Sequence, residues 1–109
     1  MSLQEGRVAE EKASLYLQKL SYKILTCNFY SKFGEIDIIA QKEGVIHFCE
    51  VKFSKKYDPV LRINPAKMTK IIKTINYYFL IHPSEKEYQI DAILVTPQGI
   101  EIIKNITYS

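Results

Sequence analysis

The sequence predicts an α/β fold, in which a single mixed central β-sheet is flanked by helices in the order α-β-β-β-α-β-β. Three observations support this prediction. Apolar residues recur at helical spacing near the N-terminus, three segments rich in β-branched and aromatic residues follow, and Asn64-Pro65 marks a second helix start before two further strands. With 109 residues, 47% of them hydrophobic, the chain is long enough to bury one core, so we expect one domain over residues 1–109.

The first half of the chain is predicted to form a helix followed by a three-stranded meander. The helix covers about residues 3–20, where small and apolar residues recur every three or four positions, at Ala9, Ala13, Leu17 and Leu20. The strands are "YKILTCNF", "GEIDIIAQ" and "VIHFCEVKF". Glu43-Gly44, between the second and third strands, is typical of a two-residue hairpin turn.

The second half is predicted to contain one helix and a hairpin, after a basic loop of about residues 54–63. Asn64 is a favourable N-cap, and Pro65 suits the first helical position. The helix is expected to bury one stripe, made of Met68, Ile71, Ile72, Ile75 and Phe79. "EYQIDAILVT" is the fourth strand, and Pro97-Gln98-Gly99 turns it into the last, "IEIIKNI". Since each helix has one apolar face, we expect the helices to cover the two faces of the sheet.

Composition and hydropathy predict a cytoplasmic protein without a membrane partner. The N-terminal segment is charged and lacks the apolar core of a signal peptide, and no apolar run approaches the roughly 20 residues of a membrane helix. Cys27 and Cys49 lie in apolar segments with no further cysteine or histidine at ligand spacing. We therefore expect two buried free thiols.

Positive charge is concentrated in one part of the chain. The formal net charge is +3, yet residues 52–73 contain seven basic residues against one acidic residue, Asp58. The basic residues are Lys52, Lys55, Lys56, Arg62, Lys67, Lys70 and Lys73. A surface that binds phosphates needs such an asymmetry, but a solvated loop followed by a lysine-rich helix face has it too. Charge alone leaves both interpretations open.

The two central strands carry charged residues in an apolar context. Glu35 and Asp37 share one face of the second strand, as Glu50 and Lys52 do on the third. With a two-residue turn, the hairpin register places Asp37 opposite Glu50 and Glu35 opposite Lys52. Adjacent carboxylates in an apolar sheet require a cation or a shared proton between them. His47 is expected to pack on the other face of the sheet.

These residue types have the chemistry that phosphodiester hydrolysis needs. Asp37 and Glu50 would hold Mg²⁺ or Mn²⁺, which prefer hard oxygen ligands, and Lys52 would stabilise developing charge. Glu10, on the sheet-facing stripe of the first helix, is a third candidate ligand, although a glutamate near a helix start is also typical of helix-dipole stabilisation. The alternative for the whole set is a cross-strand network in which Lys52 neutralises Glu35 or Glu50. We favour the catalytic site.

"GEIDIIA", followed thirteen residues after Asp37 by "EVK", resembles the core motif of the PD-(D/E)XK nucleases. Nearly the whole chain resembles the YraN-type family of small bacterial proteins, through "GRVAEEKASLYL", "YKILTCNF", "GEIDIIA", "HFCEVK" and "IDAILV". The resemblance implies a restriction-endonuclease-like fold akin to that of Holliday-junction resolvases. It also implies a site for one or two Mg²⁺ or Mn²⁺ ions with the ligands Asp37, Glu50 and Glu10. Lys52 would then be the catalytic lysine, and Lys67 would contact a phosphate.

Taken together, we expect a Mg²⁺-dependent endonuclease that hydrolyses phosphodiester bonds in DNA, with branched or otherwise structured DNA as its substrate. Glu35 would support the site, and the DNA-binding residues would be Lys32, Lys55, Lys56, Arg62, Lys67 and Lys70. The alternative is a nucleic-acid-binding module with the nuclease fold and little or no activity, because the resembled family usually has arginine at the positions of Tyr30, Lys32, Ser54 and Gln89. A third alternative is a scaffold that pairs with its own copy, and a two-fold substrate would favour such a homodimer.

Overall fold

One mixed five-stranded sheet with a helix on each face makes up the described part of the chain, which in this computed structural model is residues 3–55 and 64–106. The elements are α1 (Leu3–Lys19), β1 (Lys23–Ser31), β2 (Gly34–Lys42), β3 (Val45–Phe53), α2 (Pro65–Ile81), β4 (Tyr88–Thr96) and β5 (Gly99–Ile103). Their order and the mixed sheet confirm the fold class predicted from the sequence.

The strands lie in the sheet in chain order, from β1 at one edge to β5 at the other. Among the described strands, β3 and β4 run parallel, and α2 lies in the connection between them. The other neighbouring strands are antiparallel. The central strand, β3, is covered on both faces, so residues 46–51 are all buried. Glu50 is therefore buried because of its place in the topology.

The turn between β2 and β3 sets the register of the central hairpin. Glu43 and Gly44 both have positive φ angles, 52° and 80°, as a type I′ two-residue turn requires. Backbone pairs then run from Lys42–Val45 to Ile38–Cys49, which confirms the predicted register over this stretch. The pairing stops one residue before Asp37, so the predicted direct opposition of Asp37 and Glu50 is wrong.

Buried side chains form two clusters, one on each face of the sheet. One cluster includes side chains of α1, and the other includes side chains of α2. Ile38 belongs to the α1 cluster, whereas Ile36 belongs to the α2 cluster. Residues two apart on a regular strand share a face. The β2 strand is therefore irregular at Asp37, which lies between these two isoleucines.

The predicted start of α2 is confirmed. Asn64 has an extended backbone, and its side chain accepts a hydrogen bond of 2.8 Å from the backbone N–H of Lys67. Pro65 occupies the first helical position, where its missing N–H costs nothing. Because the cap fixes the first turn, Lys67 is held beside the sheet rather than in open solvent.

The buried stripe of α2 differs from the predicted one. Ile72 is 37% exposed, while Thr74 and Tyr78 are buried. Thr74 and Tyr78 follow Ile71 at helical spacings of three and seven, so the face that meets the sheet is centred away from Ile72. The predicted burial of Ile72 is therefore wrong.

Three further predictions fail near chain ends and edges. Leu20, which is 37% exposed, follows the last residue of α1. Cys49 is buried as predicted, but Cys27 is exposed, because β1 is an edge strand. The last strand ends at Ile103 rather than at Ile106.

Within residues 3–55 and 64–106, no helix is long and apolar enough to cross a membrane.

Candidate metal centre

The irregularity in β2 is matched by one in β1. The β1–β2 pairing includes Cys27–Ile38 and Phe29–Ile36 but passes over Asn28. Asn28 has a φ of 53°, a left-handed conformation that asparagine tolerates better than most residues. A local break in the two strands thus coincides with the position of Asp37.

Asn28 draws two carboxylates together at this break. Its Nδ2 atom donates hydrogen bonds of 2.8 Å to Oε1 of Glu10 and 2.8 Å to Oε1 of Glu35. Carboxylate oxygens of Glu10, Glu35 and Asp37 all lie within 4.8 Å of one another. Oδ2 of Asp37 accepts a 2.8 Å hydrogen bond from the backbone N–H of Val51. The helix-borne Glu10 therefore meets Asp37, and Glu35 is a full member of the carboxylate cluster (Glu10, Glu35 and Asp37).

Glu50 lies beside this cluster and is only partly satisfied. Its Oε2 atom is 3.3 Å from Nζ of Lys67. Its Oε1 atom is buried and has no hydrogen-bond partner among the described residues. A buried polar atom without a partner is rare in folded proteins, so this oxygen is available to a ligand.

A cavity of about 450 Å³ joins Glu50 to two members of the cluster. We call it the lysine cavity, since Lys67 and Lys70 line it together with Glu35, Asp37 and Glu50. Four carboxylates and two ammonium groups thus meet within one small region of the protein, because Glu10 adjoins Glu35.

The electrostatics of the site disfavour ionised carboxylates. Burial, with the charges of Glu10 and Glu35, raises the pKa of Asp37 to about 6, although the Val51 N–H opposes the rise. Burial and then the charge of Asp37 raise the pKa of Glu50 to about 7, against the opposing effect of Lys67. The cations of the described residues therefore leave these two carboxylates under-neutralised.

Lys52 reaches the same region from β3. Its pKa is lowered, first by burial and then by the charge of Lys67, while the charges of Glu50 and Asp37 raise it. Glu50 and Lys52 are two residues apart on one strand and share a face, as predicted. Lys52 is half-buried, and it lies near enough to Lys67, Glu50 and Asp37 for their charges to affect its pKa.

The set of donors suits a hard divalent cation. Carboxylate oxygens are the ligands that Mg²⁺ and Mn²⁺ prefer. A cation at this point would bring positive charge to Asp37 and Glu50, whose pKa values are raised. It would also give the buried Oε1 atom of Glu50 a partner.

The predicted DNA-binding residues are placed differently. Lys67 and Lys70 line the lysine cavity. Lys32 Nζ lies 5.2 Å from the centre of the Phe33 ring, and Lys55 is exposed at the end of the described segment. Lys56 and Arg62 lie outside the described residues.

Asn28 was missed by the sequence-based reasoning. No pattern in the sequence singles it out, because its contribution depends on a positive φ angle inside a strand and on contacts with residues 18 positions before it and seven after it. The predicted register also paired Glu35 with Lys52, whereas the backbone ladder between β2 and β3 ends before either residue.

A second buried polar group was also missed. His47 packs on the α1 face as expected, and its Nδ1 atom is 2.6 Å from Oδ2 of Asp91. Oδ1 of Asp91 accepts hydrogen bonds from Nε2 of Gln89 and from the backbone N–H of Asn105. An aspartate inside the apolar run "IDAILV" signals such a group, since buried carboxylates are nearly always paired.

Comparison with known proteins identifies relatives that cover nearly the whole chain. Residues 9–95 match the uncharacterised protein family UPF0102. A UPF0102 protein of Wolinella succinogenes is 46% identical over 98% of this chain and 99% of its own length. A UPF0102 protein of Helicobacter pylori strain Shi470 is 45% identical over 95% of this chain and 91% of its own. One of Nitratiruptor sp. is 46% identical over 94% and 91%.

Proposed function

The chain belongs to the uncharacterised protein family UPF0102, the YraN family, and we propose that it is a nuclease that hydrolyses phosphodiester bonds in DNA with Mg²⁺ or Mn²⁺. One observation carries the proposal. The buried Oε1 atom of Glu50 lacks a hydrogen-bond partner among the described residues and lies beside Asp37, whose pKa is raised as well. In a purely structural network, each buried carboxylate oxygen would have a partner within the chain, and among the described residues Oε1 of Glu50 has none.

The carboxylate cluster and Glu50 would hold the cation. Glu10, Glu35 and Asp37 already have oxygens within 4.8 Å of one another, and Glu50 adds an oxygen without another partner. A bound divalent ion would polarise the phosphate and lower the pKa of the attacking water. The Asn28 amide orients Glu10 and Glu35, and the Val51 N–H orients Asp37, so these side chains would be the ones to hold the ion.

The lysines would bind the phosphate and stabilise its charge. The Lys67 side chain is 41% exposed although its Nζ lies 3.3 Å from Glu50, so it can contact both a phosphate and the carboxylate. The pKa of Lys52 is lowered by burial and by the charge of Lys67, and it is raised by the charge of Glu50. Lys52 therefore lies near both groups. Charge that develops on the phosphate oxygens would be stabilised by these two ammonium groups.

The charge distribution supports a nucleic acid as the substrate. Lys67 and Lys70 line the cavity next to the carboxylates. Exposed Lys55 follows the same strand as Lys52. Phosphates of a DNA backbone would meet these cations on the α2 side of the sheet, where counterion release favours binding.

Metal binding and DNA cleavage test the proposal together. Mg²⁺ and Mn²⁺ binding is measured by titration calorimetry, with and without DNA, because a phosphate can complete such a site. Cleavage is measured on branched, single-stranded and duplex DNA. The comparison is between wild type, Asp37→Asn and Glu101→Gln, the last being an exposed acidic residue of β5.

We expect wild type and Glu101→Gln to bind the metal and cleave at least one substrate. Asp37→Asn is expected to lose metal affinity and to cleave about 100-fold more slowly or not at all. Metal-dependent DNA binding without cleavage of any substrate would instead identify a nucleic-acid-binding module. Absence of metal binding even with DNA present would overturn the proposal.

A further inference from the structure

A second cavity opens on the other side of the carboxylate cluster. It has a volume of about 940 Å³ and is lined by Arg7, Glu10, Glu11, Leu15, Tyr30 and Glu35, among others. We call it the α1 groove. Glu35 lines both the α1 groove and the lysine cavity, so the two spaces meet at the carboxylate cluster.

We propose that the α1 groove holds an unpaired nucleobase next to the phosphate that is cut, so that the substrate is single-stranded DNA or a nucleotide splayed out of a junction. This inference rests on the proposed nuclease function, because it places the scissile phosphate at the carboxylate cluster. It adds that the base lies in the α1 groove and the phosphate backbone lies at the lysine cavity.

Cations are distributed unequally between the two sides of the cluster. Among the described residues, the α1 groove is lined by Glu10, Glu11 and Glu35 against one cation, Arg7. The lysine cavity carries two cations, Lys67 and Lys70, besides its three carboxylates. Once a divalent ion neutralises the carboxylates at the cluster, a phosphate backbone is attracted to these lysines, whereas the groove keeps no net positive charge. The part of a nucleotide that suits the groove is therefore the uncharged base, whose amino groups can donate hydrogen bonds to carboxylates.

Tyr30 provides a surface for such a base. Its side chain is 67% exposed, although the residue lies within β1. Its backbone partner on β2 is Glu35, so their Cβ atoms are about 5 Å apart. Because Glu35 belongs to the carboxylate cluster, a base stacked on the Tyr30 ring would lie next to that cluster. Stacking on an aromatic side chain is tolerant of sequence, because every base has a π-face.

The size of the α1 groove suits a base that has left the duplex. Its volume of about 940 Å³ falls within the range of small-molecule sites, which suits a single nucleotide. A base within a duplex is stacked and paired, and it reaches a pocket only after it leaves the helix at an energetic cost. Single strands and junctions avoid most of that cost.

The inference is tested by equilibrium binding of two fluorescein-labelled probes, measured by anisotropy with Ca²⁺ in place of Mg²⁺ to slow cleavage. One probe is an oligodeoxycytidine of about 12 nucleotides, within the usual site size of single-strand binders. Its bases carry the amino groups that can donate hydrogen bonds to the groove carboxylates. The other probe is a blunt hairpin duplex. The variants are Tyr30→Ala and Tyr30→Phe. The phenylalanine variant keeps the ring and is the matched control, and thermal unfolding checks that both variants fold.

Tyr30→Ala is expected to weaken binding of the single strand by about 5- to 100-fold and to leave duplex binding unchanged, while Tyr30→Phe behaves like wild type. An oligonucleotide with abasic sites should bind wild type as weakly as it binds Tyr30→Ala. Equal losses on both probes, or no loss on either, would overturn the inference.

The failure of this inference is distinguishable from failure of the proposed function. Cleavage that depends on Asp37 but not on Tyr30 would refute the groove inference and leave the nuclease intact. Single-strand binding that depends on Tyr30, in a protein that cleaves nothing, would refute the nuclease and identify the groove as a binding site for bases.

Discussion

Replacing Asp37 by asparagine is expected to stabilise the metal-free protein above neutral pH. The Asp37 carboxylate is partly buried and lies within 4.8 Å of carboxylate oxygens of Glu10 and Glu35. Asparagine has nearly the same shape, and its Oδ1 atom can accept the same hydrogen bond from Val51. The substitution therefore keeps the hydrogen bond and removes both the repulsion and the cost of burying a charge.

The pKa of Asp37 sets the size and the pH dependence of this effect. Its pKa is about 6 in the folded protein against an ordinary value of 3.8. The folded state thus binds the proton more tightly than the unfolded state does, and stability falls as the pH rises through this range. The complete loss is about 3 kcal/mol, at roughly 1.36 kcal/mol for each tenfold change in proton affinity. A buried amide keeps part of the desolvation cost, so we expect Asp37→Asn to gain about 1–3 kcal/mol at about pH 8 and less than about 1 kcal/mol near pH 4.

Urea unfolding in EDTA, from about pH 4 to about pH 8, measures this difference. Glu101→Gln is the control, because it removes an exposed carboxylate from β5 and should change stability by less than about 0.5 kcal/mol. Adding Mg²⁺ should then reverse the order. Wild type gains about 4.1 kcal/mol at a free Mg²⁺ concentration 1,000-fold above its dissociation constant, which exceeds the lead of the variant, whereas Asp37→Asn gains little.

The opposite result would refute the reasoning. If Asp37→Asn lowers the free energy of unfolding in EDTA by more than about 1 kcal/mol at about pH 8, the carboxylate is stabilised by its neighbours in the metal-free protein. Lys52 and Lys67 would then satisfy the site as a structural ion-pair network. The argument for a missing cation would lose its physical basis, whatever the behaviour in Mg²⁺.

Two other substitutions separate structural from functional polar groups. Asp91→Asn should destabilise the protein by about 2–4 kcal/mol near neutral pH, because it breaks a buried pair with His47. The hydrogen bonds of Asp91 lower its pKa. The stability that this carboxylate contributes is therefore present above its unfolded pKa and is lost as the pH falls through its folded pKa. Urea unfolding against pH would contradict this if the destabilisation by Asp91→Asn grew larger in acid. Asn28→Gly keeps the left-handed backbone but removes the amide that holds two carboxylates, and calorimetry should show Mg²⁺ affinity reduced about 10- to 100-fold. Unchanged affinity would mean that the amide does not orient the ligands.

The elements were predictable because their signals are local and strong. The bounds of β3, Val45–Phe53, were predicted without error, since a turn with two positive φ angles fixes where the strand begins. The start of α2 followed from Asn64-Pro65 for the same reason. Burial was predicted less well at Cys27 and Ile72, because it depends on which strand lies at the edge and on how the helix is rotated against the sheet.

The site was predictable in its members but not in its geometry. Strand alternation and hairpin register placed Asp37 beside Glu50 on the assumption of an unbroken ladder, but the ladder ends at Ile38. The break depends on Asn28, whose backbone conformation no periodicity reveals. Sequence patterns report which face a residue shares with its neighbours. They do not report where two strands stop pairing so that a side chain replaces a backbone partner, as Asp37 does for Val51.

A comparison of two buried carboxylates, Glu50 on β3 and Asp91 on β4, also supports a ligand at Glu50. Asp91 has a partner for each oxygen, and its pKa is lowered. Glu50 is as deeply buried, yet one of its oxygens has no partner among the described residues and its pKa is raised to about 7. The fold is therefore able to satisfy a buried carboxylate fully, and it does so where the carboxylate supports structure. Glu50 lowers the stability of the metal-free protein near neutral pH, which is the expected property of a group whose partner is a ligand rather than the chain itself.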